Sequence, residues 1–234
     1  MSPIRIFIGY DPKETIAFHV LSHSIMRHAS VPVSITGLVL NQLPLTRPRD
    51  SMQSTEFAFS RFLVPHLCEF EGWAIFMDCD MLCRGDIKEL WDKRSLDHAV
   101  QVVKHDYIPT TTTKFLNQPQ TRYARKNWSS LMIFNNWKCT ALYPGYVDRA
   151  SGLELHGFEW LDEHEIGGLP VGWNHLVGEY KPNPEAKLVH FTLGTPCFAK
   201  YRNCEFADEW FEERSLMMHH DRTGEFSKPA AVEP

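Results

Sequence analysis

Asp78 and Asp80 stand one residue apart in Trp73-Ala74-Ile75-Phe76-Met77-Asp78-Cys79-Asp80-Met81-Leu82, where a short apolar run stops at two carboxylates and apolar residues resume at once. Burying an unpaired carboxylate is costly or forces it to take up a proton. Two of them at the end of a core strand call for a cation, and no Lys or Arg is close in sequence; the nearest base is Arg84. In extended chain, residues i and i+2 point to one face, so both side chains can offer oxygens to a single hard ion such as Mg2+ or Mn2+. Two carboxylates leave that ion's shell incomplete, and a phosphate-bearing ligand would complete it. The competing reading is a turn, since Asp is common after strands and D-x-D arises by chance.

A further ligand is offered by His190, which follows Lys187-Leu188-Val189 and precedes Phe191-Thr192-Leu193-Gly194-Thr195-Pro196. A histidine at a strand end before a Gly/Pro turn can reach a shared site as neutral imidazole. The alternative is a hydrogen-bonded core histidine, and with twelve histidines in the chain that alternative outweighs His190 taken alone.

The elements that must position these groups follow from apolar periodicity. Ile4 to Ile8 is β-rich and broken at Gly9, and Asp11-Pro12 signals a helix start. Ile16, Ala17, Val20, Leu21 and Ile25 recur at helical spacing between Lys13 and His28, and Val31 to Leu40 returns to strand types. Strand, helix, strand argues a parallel crossover unit, whose first loop lies at the carboxyl edge of the sheet, where open α/β sheets bind ligands. Further expectations are a helix from Glu56 to Leu67, a strand from Ala74 to Met77, a helical turn from Ile87 to Trp91, and strands at Ala99–Val103 and Ser129–Phe134. Tyr107 to Tyr123 reads as a long loop, Trp137 to Ala150 as partly helical, Phe158 to Glu163 as a short helix, and Leu169 to Trp173 as extended chain. Leu188 to Phe191 is a late strand and Ala207 to Met218 an amphipathic helix.

Composition narrows the class. The chain has 234 residues, 43% hydrophobic and 23% charged, with a net charge of −5, an ordinary globular profile without the basic face that nucleic acid requires. No apolar stretch approaches the roughly 18–20 residues needed to cross a bilayer, and the start lacks the regions of a signal peptide. These features predict a cytoplasmic chain, with peripheral membrane association left open. Its six cysteines, with no C-x-x-C pair, are expected to be reduced and to hold no structural zinc.

Four segments in order, Ile6-Phe7-Ile8-Gly9-Tyr10-Asp11, Phe57-Ala58-Phe59-Ser60-Arg61-Phe62, Phe76-Met77-Asp78-Cys79-Asp80 and Val189-His190-Phe191 with Gly194, resemble the nucleotide-sugar glycosyltransferases of the GT-A fold, most of all the family 8 group. The resemblance runs from Ile4 to about Phe198. It implies a single α/β domain with a Rossmann-like, mostly parallel central sheet flanked by helices. Residues 1–218 would form the domain, with 1–105 as nucleotide-binding half and 106–218 as acceptor-side half, before a polar tail at 219–234. It implies donor contacts at Ile8, Gly9, Tyr10, Asp11, Arg61, Asp78, Cys79 and Gly194, with Tyr10 and Asp11 at the nucleoside and Arg61 near the donor. The metal ligands would be Asp78, Asp80 and His190, holding Mn2+ or Mg2+. Departures stand out in three places. The late turn has one extra residue and no Lys before Pro196; Trp128-Ser129-Ser130 replaces the family's N-x-G; and its D-Q-D segment has no match around His156 to Leu161.

The activity implied is transfer of a hexosyl or related sugar, with retention favoured, from a nucleotide-sugar donor, UDP-linked by first expectation. The acceptor would be a hydroxyl of a glycan, a lipid-linked molecule or a small molecule. An inverting enzyme would need a carboxylate base, for which Glu159 and Asp162 are the candidates, with solvated helix charges as the alternative. Trp128, Trp160 and His156 are the acceptor-side candidates. Two other readings remain: a sugar-nucleotide or glycan-binding module that lost turnover, and a haloacid-dehalogenase-like phosphatase using Asp78 as nucleophile.

Overall fold

The computed structural model describes residues 2–49, 53, 55–107, 109, 116 and 124–218. The tail at 219–234 and the expected loop from Tyr107 to Tyr123, apart from Tyr107, Pro109 and Leu116, lie outside the described residues. Strand β1 (Ile4–Gly9) leads through a 310 turn (Pro12–Glu14) into α1 (Thr15–His28) and back to β2 (Val33–Leu38), which pairs parallel with β1. The turn starts where expected because Asp11 accepts from Lys13 N–H at 2.9 Å and Pro12 pre-sets its first residue. α1 buries Ala17, Val20, Leu21, Ser24 and Ile25, the stripe that its spacing dictates.

The large sheet among the described residues has the order β2-β1-β3-β6-β5-β7, with β3 Trp73–Met77, β5 Val100–Val102, β6 Leu131–Asn135 and β7 Ile166–Gly168. All strands run one way except β6, which is antiparallel to both neighbours. This is the mostly parallel central sheet that the sequence predicts. Leu131 to Phe134 are fully buried, so β6 reads as an unbroken apolar run, as a strand covered on both faces must. A second sheet of order β4-β9-β8 joins β4 (Met81–Cys83), β9 (Leu188–His190) and β8 (His175–Leu176). α1 packs beneath it, and Ser24 Oγ accepts from Cys83 N–H at 3.1 Å. Val20, Leu82, Val189, Phe191 and Trp210 form a second apolar cluster that seats α6 (Ala207–Met217).

Four local expectations change. The stretch from Glu56 to Leu67 is turns, a 310 segment (Ser60–Leu63) and one short helix, α2 (Val64–Leu67), with Pro65 in its first turn. The acidic pair is on a bend, not on extended chain, and β4 follows at once. After α3 (Ile87–Trp91) and α4 (Pro144–Arg149), the short helix α5 lies at Gly152–His156, not Phe158–Glu163; Ser151 and Glu154 form its capping box, and Phe158, at φ 56°, lies in the turns beyond it. Leu169 to Trp173 closes as a 310 turn, Val171–Trp173, rather than staying extended.

Candidate active site

The bend at Cys79 is the joint between the two sheets. Asp78 N–H donates to Ser130 C=O at 2.9 Å, extending the β3–β6 ladder, while Asp80 C=O accepts from Phe191 N–H at 2.9 Å, extending the β4–β9 ladder. Met81 pairs with His190 in that ladder, which carries the imidazole to Asp80. Ligand atoms of Asp78, Asp80 and His190 lie within 4.8 Å of one another, and His190 Nε2 is 3.3 Å from Asp80 Oδ1. Two carboxylates and one imidazole, largely withdrawn from solvent, are a donor set that fits Mg2+ or Mn2+. Cys79 takes no part as a ligand: its side chain is in the core, and burial first, then the charges of Glu14, Asp80, Asp78 and Asp11, keep the thiol protonated.

Arg61, itself buried, reaches this tip. Its Nη1 lies 2.9 Å from Asp78 Oδ1 and donates to Ser129 C=O at 2.9 Å. The guanidinium carbon stands 5.3 Å from the Phe57 ring centre and 5.1 Å from that of Phe76. Phe57 in turn lies against Gly9, where an added Cβ would fall 2.3 Å from ring atoms. Gly9, Tyr10 and Asp11 share the carboxyl edge of the sheet with Asp78, because β1 and β3 run parallel. Asp11 gives its two oxygens to the Lys13 and Glu56 N–H groups, so it shapes this loop from a fully buried position. Tyr10 is half-buried, with its hydroxyl 3.0 Å from Thr15 Oγ1. Ile8 and Cys79 are buried, which leaves only their backbones for a ligand. Gly194, at φ 145°, turns the chain after His190 as a glycine does without strain.

The other expected residues are spread more widely. His156 Nδ1 is 2.7 Å from Ser129 Oγ and the ring meets Phe62 edge-on at 5.2 Å. Desolvation, followed by the charges of Arg61, Lys126 and Arg47, holds this imidazole well below its usual range and therefore neutral. Trp128 donates from Nε1 to His105 C=O at 2.8 Å, and Trp160 from Nε1 to Leu155 C=O at 3.4 Å. Glu159 and Asp162 are exposed and are not among the groups gathered at the acidic tip. Glu159 lies near Tyr146, and Asp162 donates its N–H to Glu165 on the approach to the start of β7.

Several residues at the tip carried no sequence signal. Asn127, at φ 62°, donates from Nδ2 to the Tyr107 hydroxyl at 2.7 Å and to Thr192 Oγ1 at 3.2 Å. His105, just beyond β5, has Nδ1 2.8 Å from the Tyr180 hydroxyl. Lys126, Ser130 and Asn174 are buried beside them. Their positions come from contacts between distant parts of the chain, which no local motif encodes.

A profile of "Glycosyl transferase family 8" matches residues 12–142, more than half of the chain. Protein CDI of Arabidopsis thaliana is 46% identical over 222 residues, covering 90% of this chain and 86% of that protein. The chain belongs to glycosyl transferase family 8. Among solved structures, the bifunctional glycosyltransferase WbbM superposes with a TM-score of 0.66 at 15% identity, over 93% of this chain and 51% of that one. The glycosyltransferase GlyE of Streptococcus pneumoniae TIGR4 gives a TM-score of 0.58 at 12% identity, over 94% of this chain and 63% of that one. The family 8 chain thus spans about half of WbbM and under two thirds of GlyE. At these identities the likeness establishes the fold, which is GT-A. Membership of a glycosyltransferase family sets aside the phosphatase reading of Asp78. No helix among the described residues is long and apolar enough to cross a membrane.

Proposed function

We propose that this family 8 protein transfers a hexosyl group from a UDP-sugar to an acceptor hydroxyl with retention, using Mn2+ or Mg2+ held by Asp78, Asp80 and His190. The observation that carries the reading is the meeting of those three side chains at the joint of the two sheets, at the ligand-binding edge. When bound, the cation would neutralise charge growing on the departing diphosphate. Arg61 holds Asp78 in place through its 2.9 Å contact and adds a fixed positive charge there. The strand order supports a left-to-right layout: nucleoside at the β1 loop with Tyr10, diphosphate at the tip of β3, and sugar and acceptor beside β6 and β5, near Trp128 and His105. In that layout β5 and His105, which a division at residue 105 would assign to the nucleotide half, stand on the acceptor side with β6 and Trp128.

Retention is the outcome that the family resemblance favours; Glu159 and Asp162, the carboxylates that inversion would call on, are exposed and are not among the groups gathered at the acidic tip. The acceptor oxygen would then bond to the anomeric carbon on the face that the diphosphate leaves, and its proton would pass to the departing phosphate oxygen. The acceptor class is a hydroxyl on a glycan, a lipid-linked molecule or a small molecule.

The test is release of free nucleotide from a panel of UDP- and GDP-hexoses with and without Mn2+. Mn2+-dependent UDP release that disappears in Asp80→Ala supports the reading. GDP release instead would replace the nucleotide and keep the chemistry. Nucleotide binding with no release across donors and acceptors would identify a binding module in place of an enzyme.

A further inference from the structure

The side chain that faces the far nitrogen of His190 is Asn174, fully buried just ahead of β8, with Oδ1 3.0 Å from His190 Nδ1. Asn174 Nδ2 is 2.8 Å from Ser130 Oγ, and Ser130 Oγ is 2.7 Å from Asn127 C=O. A backbone carbonyl can only accept, so the Ser130 hydroxyl donates to it. That leaves Ser130 Oγ as the acceptor for Asn174, so the amide NH2 faces Ser130. With the amide reversed, two lone pairs would oppose each other across 2.8 Å, and Oδ1 would also face the Asn127 carbonyl at 3.5 Å. Asn174 Oδ1 is therefore turned to His190, whose Nδ1 must carry the proton.

We propose that Asn174 is a positioning residue: it fixes His190 as the Nδ1–H tautomer and so presents the Nε2 lone pair to the divalent cation between Asp78 and Asp80. The proposal rests on the metal reading above in its second half; that Nδ1 carries a proton follows from the hydrogen-bond chain alone. Every bond in the chain is directional, and its fixed end is the backbone of Asn127, itself pinned through Tyr107 and Thr192. The outer partner of a ligating histidine sets its ring orientation and basicity, and losing one typically weakens metal binding about 10–100-fold.

Two measurements test this. In protein labelled with 15N-histidine, long-range 15N–1H spectra, assigned with His190→Ala, read the tautomer without any substitution at Asn174. The expected result is a proton on Nδ1; an imidazole protonated at Nε2 alone overturns the proposal. Mn2+ alone is then titrated against the full chain by electron paramagnetic resonance of the free ion. Asn174→Ala should bind about 10–100-fold more weakly. Asn174→Asp, which keeps an acceptor for Nδ1–H once the Ser130 hydroxyl turns from Asn127 C=O to donate to the new carboxylate, should recover most of the loss, an outcome that a purely structural role would not give. Wild-type affinity in Asn174→Ala sinks the proposal alone. No Mn2+ binding by the unsubstituted protein sinks the metal reading, and the second half of the proposal with it.

Discussion

Met81 and His190 face each other across the β4–β9 ladder, and that pairing sets His190 Nε2 3.3 Å from Asp80 Oδ1. The cluster is thus built by sheet register rather than by a loose loop. Asp78 closes the ladder of one sheet and Asp80 opens that of the other, and both do so through backbone atoms. Their carboxylates can be removed without removing the hydrogen bonds that hold the joint.

The first prediction follows directly. Asp80→Ala and His190→Ala should keep the fold and lose the metal-linked stabilisation by UDP with Mn2+. A ligand at 100 times its Kd adds about 2.7 kcal/mol, which for a chain of this size is a Tm rise of roughly 5–10 °C. Differential scanning fluorimetry with UDP, Mn2+ and both together should show that rise in the unsubstituted protein only. An undiminished rise in both variants would remove these residues from the metal site.

Arg61 is the structural counterweight to Asp78. Removing one partner of a buried pair typically costs about 3–5 kcal/mol, because the other charge is left behind. Arg61→Ala also deprives the Ser129 carbonyl of a donor and opens the space between Phe57 and Phe76. Urea denaturation should show a loss in that range. Arg61→Lys keeps the charge but not the planar fork and should recover only part of it. A loss below about 1 kcal/mol, the size expected of a surface pair, would mean that the pair is solvated.

How much of this was legible depends on where each signal resides. Asp78 and Asp80 could be read because two carboxylates break an apolar run, and His190 and Gly194 because Val189-His190-Phe191 with Gly194 completes the family resemblance. A turn at the acidic pair stood only as the competing reading, and nothing local shows that Met81-Leu82-Cys83, as apolar as Ala74 to Met77, belongs to a second sheet. α5 lies six residues earlier than the helix expected at Phe158–Glu163, although its capping box, Ser151 with Glu154, is present in the sequence as a start signal. Asn174 was out of reach altogether. Its meaning lies in Ser130 and Asn127, which are 44 and 47 residues away along the chain.

Gly9 tests whether the first loop and the acidic tip are coupled by packing. A methyl group at Gly9 would fall 2.3 Å from Phe57 Cδ2 and Cγ, so the ring must move, and Phe57 lies beside Arg61. Overpacking of this kind costs about 1–3 kcal/mol. Gly9→Ala should lose stability in that range and also weaken UDP–Mn2+ binding. Adding Phe57→Ala should make the Gly9→Ala step nearly neutral in a double-mutant cycle. An additive result would show that the two sites are independent.

Two neutral imidazoles tie stability to pH. Burial pushes His105 from the usual 6.5 down to about 3. His156 is held well below 6.5 by desolvation and by Arg61, Lys126 and Arg47. A histidine whose folded pKa lies below its unfolded value binds fewer protons in the folded state, so falling pH favours the unfolded chain. The contribution is complete above about 6.5 and is lost as pH drops from there towards each folded pKa, a window that runs to about 3 for His105. Urea midpoints at about pH 7.5 and about pH 5 should fall less in His156→Phe and His105→Phe than in the unsubstituted protein. Each variant also has an offset at the higher pH from its lost contact, Ser129 for His156 and Tyr180 for His105, so the slope between the two pH values is the informative quantity. Equal slopes in all three proteins would mean that these rings take up protons as readily folded as unfolded.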